Sequence, residues 1–248
     1  MRFLYPVFSI VGFLALWTIA ASIIADPLLP GPVEVSSAVL REINSGALWH
    51  HLLITLWRVL ASFIMAMVLG IAIGLAMGRS HMINGLFDPW LVFFLNIPAL
   101  VVIFLCYIWG GLTETAAILA VVINKVPNVA VMLREGTRSL NYELEEMGQS
   151  FRYTRLQMFQ HIILPQLQPF IVAAGRSGLS LIWKIVLVVE FIGRSDGVGF
   201  QLHTYFQLFD VAGIFAYSLA FIVVMLLIEI LLLQPWERYA TRWRAEPA

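Results

Sequence analysis

Long apolar segments separated by short polar connections set the pattern of this chain. A helix needs about twenty apolar residues to cross a bilayer, and the pattern contains six segments of that kind. Their predicted ranges are 5–25, 52–77, 87–109, 114–133, 169–192 and 211–233. The sequence therefore predicts an all-α membrane protein with six transmembrane helices.

Prolines interrupt two of these predicted spans. Pro98 follows Asn96 and Ile97 inside the third span, where the missing backbone N–H predicts a kink. Pro127 lies in a polar patch at 124–128, near the middle of the fourth span. We expect both spans to be broken or bent at these points.

Two shorter helices are predicted outside the spans. The stretch 33–44 is amphipathic, with its apolar residues four positions apart, and is typical of a helix on the membrane surface. Those residues are Val35, Val39 and Ile43. A second short, half-buried helix is predicted at 200–210. The glycine-rich stretch 193–199 before it is expected to be a flexible external loop.

Glycines recur every four residues in the second span, at Gly70, Gly74 and Gly78. Small residues at this spacing allow another helix to approach closely in a membrane. We predict a helix-packing face here. The alternative is that glycine is simply common in membrane helices.

Composition supports the membrane assignment. The chain has 248 residues, of which 60% are hydrophobic and 12% charged, whereas soluble domains are about a quarter charged. The formal net charge is zero, so nothing in the charge balance suggests nucleic-acid binding. A single cysteine, Cys106, excludes an intrachain disulfide. The five histidines have no metal-ligand spacing, so no metal or cofactor is predicted on this chain.

Basic residues are distributed unequally between the predicted loops. With six spans, nine arginines fall on the side of the N-terminus and two on the other. The nine are Arg2, Arg79, Arg134, Arg138, Arg152, Arg155, Arg238, Arg242 and Arg244, and the two are Arg41 and Arg194. Because cytoplasmic loops carry the excess of basic residues, both termini are predicted to be cytoplasmic.

The longest polar interruption, residues 143–165, is then also cytoplasmic. Two short helices are predicted within it, at 143–150 and 154–164. Leu156, Phe159 and Ile163 share one face of the second helix. Such an apolar stripe beside polar residues suits docking into a groove on a partner, or packing on the protein's own helix ends.

Residues 146–165, from Glu146 to Leu164-Pro165, resemble the EAA loop of binding-protein-dependent ABC transporter permeases. That motif begins Glu-Ala-Ala, carries glycine at the seventh position and ends in Leu-Pro. Here Met147 and Gly148 replace the alanines, and Arg152 replaces the glycine. Glycine adopts a left-handed helix end readily and arginine poorly, which leaves the geometry of the turn open.

Further segments between about 28 and 235 are similar to the nitrate/sulfonate/taurine/bicarbonate group of these permeases. They are 29–32, 56–63, 70–79, 88–89 and 189–199. The resemblance implies an N-terminal segment with a helix at 1–50, a transmembrane domain at 51–234 and a cytoplasmic tail at 235–248. It also implies that the cytoplasmic loop couples to an ATPase through Glu145, Glu146, Gly148, Ser150, Phe151, Arg152, Tyr153, Leu164 and Pro165.

The resemblance also implies the partners. They are a separate ATP-binding subunit that holds ATP and magnesium, an external solute-binding protein, and a second copy of the chain or a paralogous permease, all in membrane lipid. The sequence itself has no phosphate-binding Gly-x4-Gly-Lys-[Ser/Thr] loop. ATP hydrolysis is therefore expected on the other subunit.

Ionisable residues inside membrane spans are costly and indicate function. A translocation path for a small anion is predicted along polar and charged positions of the fourth and fifth spans. They are Asn124, Lys125, Ser180, Lys184 and Glu190. An ion pair between Lys184 and Glu190 is the competing interpretation. Arg58, early in the second span, either serves the structure or extends its charge to the membrane surface.

Two other function classes are weighed against the permease. A secondary transporter driven by an ion gradient would have inverted repeats and paired broken helices. The prolines at 98 and 127 are consistent with broken helices, but no internal repeat is visible. An intramembrane enzyme is disfavoured because no span pairs a nucleophile with a base.

Overall fold

The computed structural model describes residues 4–24 and 26–241, and every regular element in these ranges is helical. The helices are α1 (Leu4–Ile24), α2 (Pro32–Asn44), α3 (Ala47–Arg79), α4 (His81–Asn96), α5 (Ala99–Gly110), α6 (Glu114–Arg138), α7 (Tyr142–Ser150), α8 (Arg155–Met158), α9 (Leu164–Gly193), α10 (Val198–Gln207), α11 (Val211–Ile228) and α12 (Gln234–Thr241). Wider π-helical turns at Phe159–Ile163 and Glu229–Leu233 join α8 to α9 and α11 to α12. Arg2, Arg242 and Arg244 lie outside the described residues.

Four helical segments are long and apolar enough to cross a membrane: Ala47–Arg79, Glu114–Arg138, Arg155–Gly193 and Val211–Glu237. The pair α4 and α5 meets the same criterion jointly, as one span bent by 97°. Phe8–Ile24 is a shorter apolar helix. The prediction of an all-α membrane protein is therefore confirmed, with four to five candidate spans among the described residues.

Pro98 and Pro127 have different effects. The chain turns sharply at Ile97-Pro98, between α4 and α5, because Pro98 cannot donate a helical bond and residue 97 is extended. Helix α6, in contrast, continues through Pro127 to Arg138. The expected interruption of the fourth span was wrong, since one missing hydrogen bond is tolerated within a well-packed helix.

The fifth span also begins earlier than predicted. Helical backbone runs from Arg155 to Gly193, so the second polar helix and the span are continuous. The π-helical turn joins them: the N–H of Leu164 bonds to the carbonyl of Phe159. Pro165 follows directly after this wider turn, where the regular pattern of helical hydrogen bonds is already interrupted and a missing N–H is more easily accommodated.

The described chain forms two compact units. The first comprises the residues up to Leu56 and Glu190–Leu226. In it the Trp17 indole N–H donates to the carbonyl of Pro30 over 3.0 Å. Helix α2, predicted as amphipathic, buries Val35 and Ala38. Its Glu42 accepts hydrogen bonds from the hydroxyls of Tyr205 and Tyr217, which ties α2 to α10 and α11.

This contact raises the pKa of Tyr205 to about 12, chiefly because the phenol is partly buried and further because Glu42 accepts its proton in a hydrogen bond. The phenol therefore stays neutral over the whole physiological range. The Tyr205 hydroxyl therefore keeps its hydrogen bond to Glu42 over that range.

The second unit comprises Trp57–Val189 and the described residues from Leu227 onward. Its core contains Met67, Val129, Leu133, Leu167 and Ala174, from α3, α6 and α9. Helices α3 and α6 run in the same direction. Their contact follows the glycines of α3.

A Cβ placed on Gly74 would lie 2.6 Å from the carbonyl oxygen of Ala130, and one on Gly78 would lie 2.4 Å from the Cβ of Thr137. One on Gly70 would lie 2.5 Å from the Cβ of Val129. No real side chain fits at such distances. The three glycines therefore let two backbones meet, as their spacing predicts.

Candidate functional site

The polar segment 142–163 folds as a hairpin of α7, a tight turn and α8, which we call the polar hairpin. Its turn is closed by two backbone bonds: Tyr153 N–H to the Gly148 carbonyl at 3.0 Å, and Arg152 N–H to the Gln149 carbonyl at 2.9 Å. These bonds define a Schellman motif, whose central residue has left-handed backbone angles. Arg152 holds that position with φ 53°.

The turn that glycine would favour is thus built with arginine. A left-handed conformation costs an L-residue about 1–2 kcal/mol. The surrounding hydrogen bonds impose it here, so the departure from the glycine pattern changes the energy of the turn and not its shape.

The next helix begins with a reciprocal cap. The backbone N–H of Thr154 donates to Gln157 Oε1 over 2.9 Å, and the N–H of Gln157 donates to Thr154 Oγ1 over 3.3 Å. This capping box satisfies two donors that a helix start otherwise leaves unpaired. The turn of the polar hairpin is therefore fixed on both sides.

The inner side of the hairpin is closely packed at Gly148. A Cβ there would lie 2.5 Å from the Cδ1 of Ile162 and 2.9 Å from the Cε of Met158. The contacting atoms are ends of flexible side chains. Gly148 therefore packs closely against Ile162 and Met158, whose flexible ends would have to move for an alanine at this position.

Ion pairs hold the polar hairpin to α3. Both Nη atoms of Arg79 donate to the carboxylate of Glu145 over 2.9 Å. A bidentate pair fixes direction as well as distance. The N–H of Asn141 also donates to Gln166 Oε1 over 2.8 Å and closes the base of the hairpin.

The outer side of the hairpin leaves apolar groups in solvent. Phe151, at the turn, is 71% exposed, and Leu156 is 64% exposed. Other exposed side chains are Tyr142, Glu146, Met147, Ser150 and Tyr153. Of the predicted stripe, Leu156 and Phe159 are exposed while Ile163 packs against the core. Of the final Leu-Pro, Leu164 is half-buried and Pro165 exposed.

Four of the five polar residues predicted for a path lie in the second unit. Ser180 and Lys184 are exposed on one face of α9, together with Ser177. The ammonium of Lys184 lies 5.4 Å from the centre of the Trp183 ring. Asn124 is half-buried on α6, where its amide donates to the Ala120 carbonyl.

Lys125 is different, because its side chain is only 2% exposed. It passes Gly178 of α9 so closely that a Cβ on that glycine would lie 3.2 Å from Lys125 Cε and 4.0 Å from Nζ. It makes no ion pair or hydrogen bond with the part of the chain that the structure describes.

The arginines in the spans have carboxylate partners. Arg58, also 2% exposed, donates to both oxygens of Glu114, at 2.8 and 2.9 Å. Its charge does not extend to the surface and serves the structure. Arg176 of α9 pairs with Glu229 at 3.1 Å and also contacts Glu237.

Glu190 lies in the first unit and is fully buried. Its Oε2 accepts hydrogen bonds from the Thr55 hydroxyl and the Gly199 N–H, each 2.9 Å long. A Cβ on Gly197, whose φ is 103°, would lie 2.4 Å from the Glu190 carboxylate. Glu190 therefore fastens the glycine-rich loop, which was expected to be flexible.

His51 supports the same loop. Its Nδ1 accepts a hydrogen bond from the Gly197 N–H over 3.0 Å, and its Nε2 lies 2.7 Å from the side-chain amide of Gln201. An Nδ1 that accepts carries no proton, so this hydrogen bond requires a neutral imidazole. Sequence reasoning missed His51 and Thr55, because their partners lie more than a hundred residues away.

Comparison with known proteins identifies the class. Residues 66–234 match the family of binding-protein-dependent transport system inner membrane components. The chain belongs to this family: it is the multi-pass inner-membrane permease subunit of a bacterial ABC importer, and ATP hydrolysis takes place on a separate ATPase subunit.

Similar proteins with known names cover most of the chain. The taurine transport system permease protein TauC of Escherichia coli (strain K12) is 29% identical over 236 residues, 93% of this chain and 86% of that protein. The putative aliphatic sulfonates transport permease protein SsuC of the same strain is 33% identical over 197 residues, 79% of this chain and 75% of that protein. The bicarbonate transport system permease protein CmpB of Synechococcus elongatus (strain ATCC 33912 / PCC 7942 / FACHB-805) is 25% identical over 217 residues, 82% of this chain and 77% of that protein.

Solved structures share the fold at lower identity. An amino acid ABC transporter with histidines aligns with a TM-score of 0.65 and 20% identity, over 81% of this chain and 97% of that one. The MetNI methionine ABC transporter, in an inward-facing conformation, aligns with a TM-score of 0.60 and 17% identity, over 77% and 95%. The fold is therefore that of an ABC importer permease.

Proposed function

We propose that this permease carries a small anionic solute of the taurine, aliphatic sulfonate or bicarbonate type, driven through the polar hairpin by its ATPase subunit. The observation that carries the coupling proposal is the hairpin itself. Its turn is fixed by a Schellman motif and a capping box, and yet it leaves Phe151 and Leu156 in solvent. The substrate class rests on the names of the similar permeases.

In this proposal the chain crosses the membrane six times, with α1 as the first span, and the polar hairpin and both termini are cytoplasmic. The excess of arginines on that side supports this orientation. Residues 1–50, 51–234 and 235–248 serve as N-terminal segment, transmembrane domain and tail. An alkaline phosphatase fusion after Asn44 tests the topology, because activity is expected only if that segment is external.

The hairpin is the EAA-type coupling loop. Its apolar tip, with Phe151 and Tyr153 beside Glu146, docks into a groove on the ATPase subunit. Glu145 has a different part, since Arg79 holds its carboxylate against the end of α3. We infer that this ion pair transmits movement of the docked hairpin to the transmembrane helices.

The transport unit needs a second permease subunit, either another copy of this chain or a paralogue. Ser177, Ser180 and Lys184 expose polar groups from one face of a membrane span. Such groups seldom face lipid and instead line a protein contact or a water-filled path. Together with Asn124 and Lys125 they form the proposed path, while Glu190 anchors the external loop.

Reconstitution in proteoliposomes tests the function. The permease is assembled with its ATPase subunit and its external binding protein, and uptake of radiolabelled taurine, butanesulfonate and bicarbonate is measured. We expect ATP-dependent uptake of at least one anion that also requires the binding protein. Uptake that follows an ion gradient without ATP would identify a secondary transporter and contradict the proposal.

A further inference from the structure

We propose that Lys125 is the residue that binds the negatively charged group of the transported solute, at a site beside Gly178 between α6 and α9. The proposal rests on the importer function proposed above and assigns the charge recognition to one side chain. Lys125 is a buried cation for which the described residues provide no counter-charge.

An ammonium group removed from water costs several kcal/mol unless an opposite charge compensates it, and the cost persists within a membrane span. Lys125 is 2% exposed. Neither a carboxylate nor another acceptor among the described residues reaches its ammonium. A charged Lys125 therefore needs a counter-charge from outside the described residues.

The other buried cation of this unit makes the contrast clear. Arg58 has the same exposure as Lys125 but is bound at two points by Glu114. Arg134 is likewise paired with Asp88, and Arg176 with Glu229. The described residues thus supply a carboxylate to each of these three arginines and none to Lys125.

Lys125 lies against a glycine of α9 and belongs to a polar stretch of α6. Its Cε fills the space beside Gly178, 3.2 Å from where a Cβ on that glycine would stand. Pro127, one half-turn further along α6, has no N–H, so the Ile123 carbonyl lacks its i+4 donor. Asn124 and Asn128 are half-buried on the same helix, and the amide of each donates one hydrogen bond to the backbone of that helix.

The chemistry suits an anion with one negative charge, such as a sulfonate, a carboxylate or bicarbonate. A single ammonium donates up to three hydrogen bonds and acts as a point charge. In the present conformation Lys125 is covered. The site must therefore open during the transport cycle for the anion to enter and leave.

The first experiment compares Lys125→Met, Lys125→Arg and the apolar core control Met67→Leu in proteoliposomes with the ATPase subunit and binding protein. Losing a charge-assisted hydrogen bond should raise the KM for taurine, butanesulfonate or bicarbonate uptake about 10- to 100-fold in Lys125→Met. Lys125→Arg should recover part of the loss, and Met67→Leu should change KM less than about twofold.

Two results would overturn the proposal. One is a Lys125→Met permease whose KM and maximal rate both equal those of the wild type. The other is a Lys125→Met permease that no longer co-purifies with its second permease subunit, because the ammonium would then be a subunit contact.

The second experiment remains informative if no variant at this position transports. Since Cys106 is the only cysteine, the Cys106→Ser chain is a clean background for Lys125→Cys. During ATP hydrolysis, sulfonatoethyl methanethiosulfonate should modify the introduced thiol. Because this variant lacks the ammonium, a transported anion at about ten times the wild-type KM should slow the reaction by no more than about twofold. A thiol that stays unmodified during turnover would overturn the proposal.

The same assays separate the two levels of inference. If the wild-type assembly takes up none of the three anions, the proposed solute class fails, and labelling of the Lys125→Cys thiol alone decides whether the position lies on a path. If the wild type transports and Lys125→Met has the same KM and maximal rate, the proposed function stands and the anion site at Lys125 is ruled out.

Discussion

The N–H of Tyr153 donates a 3.0 Å hydrogen bond to the carbonyl of Gly148, and this bond turns the chain from α7 into α8. The residue enclosed by it, Arg152, is held at φ 53°. The proposed docking tip therefore contains a turn in which Arg152 adopts a left-handed conformation that L-residues disfavour.

Replacing Arg152 by glycine should stabilise the hairpin. Glycine adopts positive φ without the steric cost that an L-residue bears, although it gains more freedom in the unfolded state. We expect the net gain to be up to about 1 kcal/mol. Hydrogen exchange of the α7 and α8 amides in the purified permease measures this gain in stability, which should appear as slower exchange.

Gln149→Gly is the matched control. Gln149 is exposed and lies in the right-handed part of α7, where glycine costs about 1 kcal/mol. The two variants should shift hairpin exchange in opposite directions. A faster exchange in both would show that the Arg152 turn is not strained.

Gly74→Ala should destabilise the packing of α3 on α6. The added methyl would meet backbone, the Ala130 carbonyl at 2.6 Å, so no side chain can rotate out of its way. Overpacking of this kind costs about 1–3 kcal/mol. Thermal unfolding in detergent should report a lower Tm.

Gly85→Ala on α4 is the control for this test, because a Cβ there has no neighbour within 4 Å among the described atoms. Its Tm should stay level or rise, since alanine is the better helix former. Equal losses in both variants would mean that helix propensity, and not contact between α3 and α6, decides the result.

Glu114→Gln should be strongly destabilising, and Arg58→Met less so. The arginine is 2% exposed, so the glutamine variant leaves a buried guanidinium without a counter-charge, whereas Arg58→Met leaves a carboxylate that water can reach. We expect a loss of about 2 kcal/mol for Glu114→Gln, below the range for fully buried pairs because Glu114 is partly exposed.

The double variant Arg58→Met with Glu114→Gln completes a thermodynamic cycle. If the pair is a mutual interaction, the double variant should be more stable than the sum of the single losses predicts. Strict additivity of the three Tm shifts would contradict the described pairing.

Gly197→Ala should loosen the loop that Glu190 fastens. The new methyl would lie 2.4 Å from the Glu190 carboxylate carbon, in a backbone conformation with φ 103°. Strain and clash together should cost about 2–4 kcal/mol. Limited proteolysis of the 193–199 loop measures the effect as faster cleavage.

Gly46→Ala separates the two causes, because Gly46 also has a positive φ, 79°, but open space around it. It should cost about 1 kcal/mol from backbone strain alone and leave the cleavage rate of the 193–199 loop unchanged. A Gly197→Ala loop that is cut no faster than wild type would argue against the clamp by Glu190.

Local patterns in the sequence predicted much of this architecture. The length of the apolar segments predicted the helices. The four-residue spacing of the glycines predicted a face of α3 suited to close helix packing. Pro98 marked the break between α4 and α5. These features depend on residues close together in the chain, where geometry follows directly from residue type.

Other features required the folded chain. Arg79 and Glu145 are 66 residues apart and Thr55 and Glu190 are 135 apart, so no local pattern indicates that they meet. Whether Pro127 bends or ends its helix depends on the packing around α6. The start of α9 depends on a π-helical turn, which has no sequence signature.

Docking of the ATPase subunit on the polar hairpin is tested most directly with the Phe151→Ala/Tyr153→Ala double variant. The measurement is co-purification of the ATPase subunit with this variant, together with uptake in proteoliposomes. Both side chains are exposed, so their removal should leave the fold and Tm intact. The account predicts loss of the bound ATPase and of ATP-driven uptake, while a Leu53→Ala control in α3, whose side chain is also exposed, retains both. Wild-type levels of co-purification and uptake in the double variant would contradict docking through the polar hairpin.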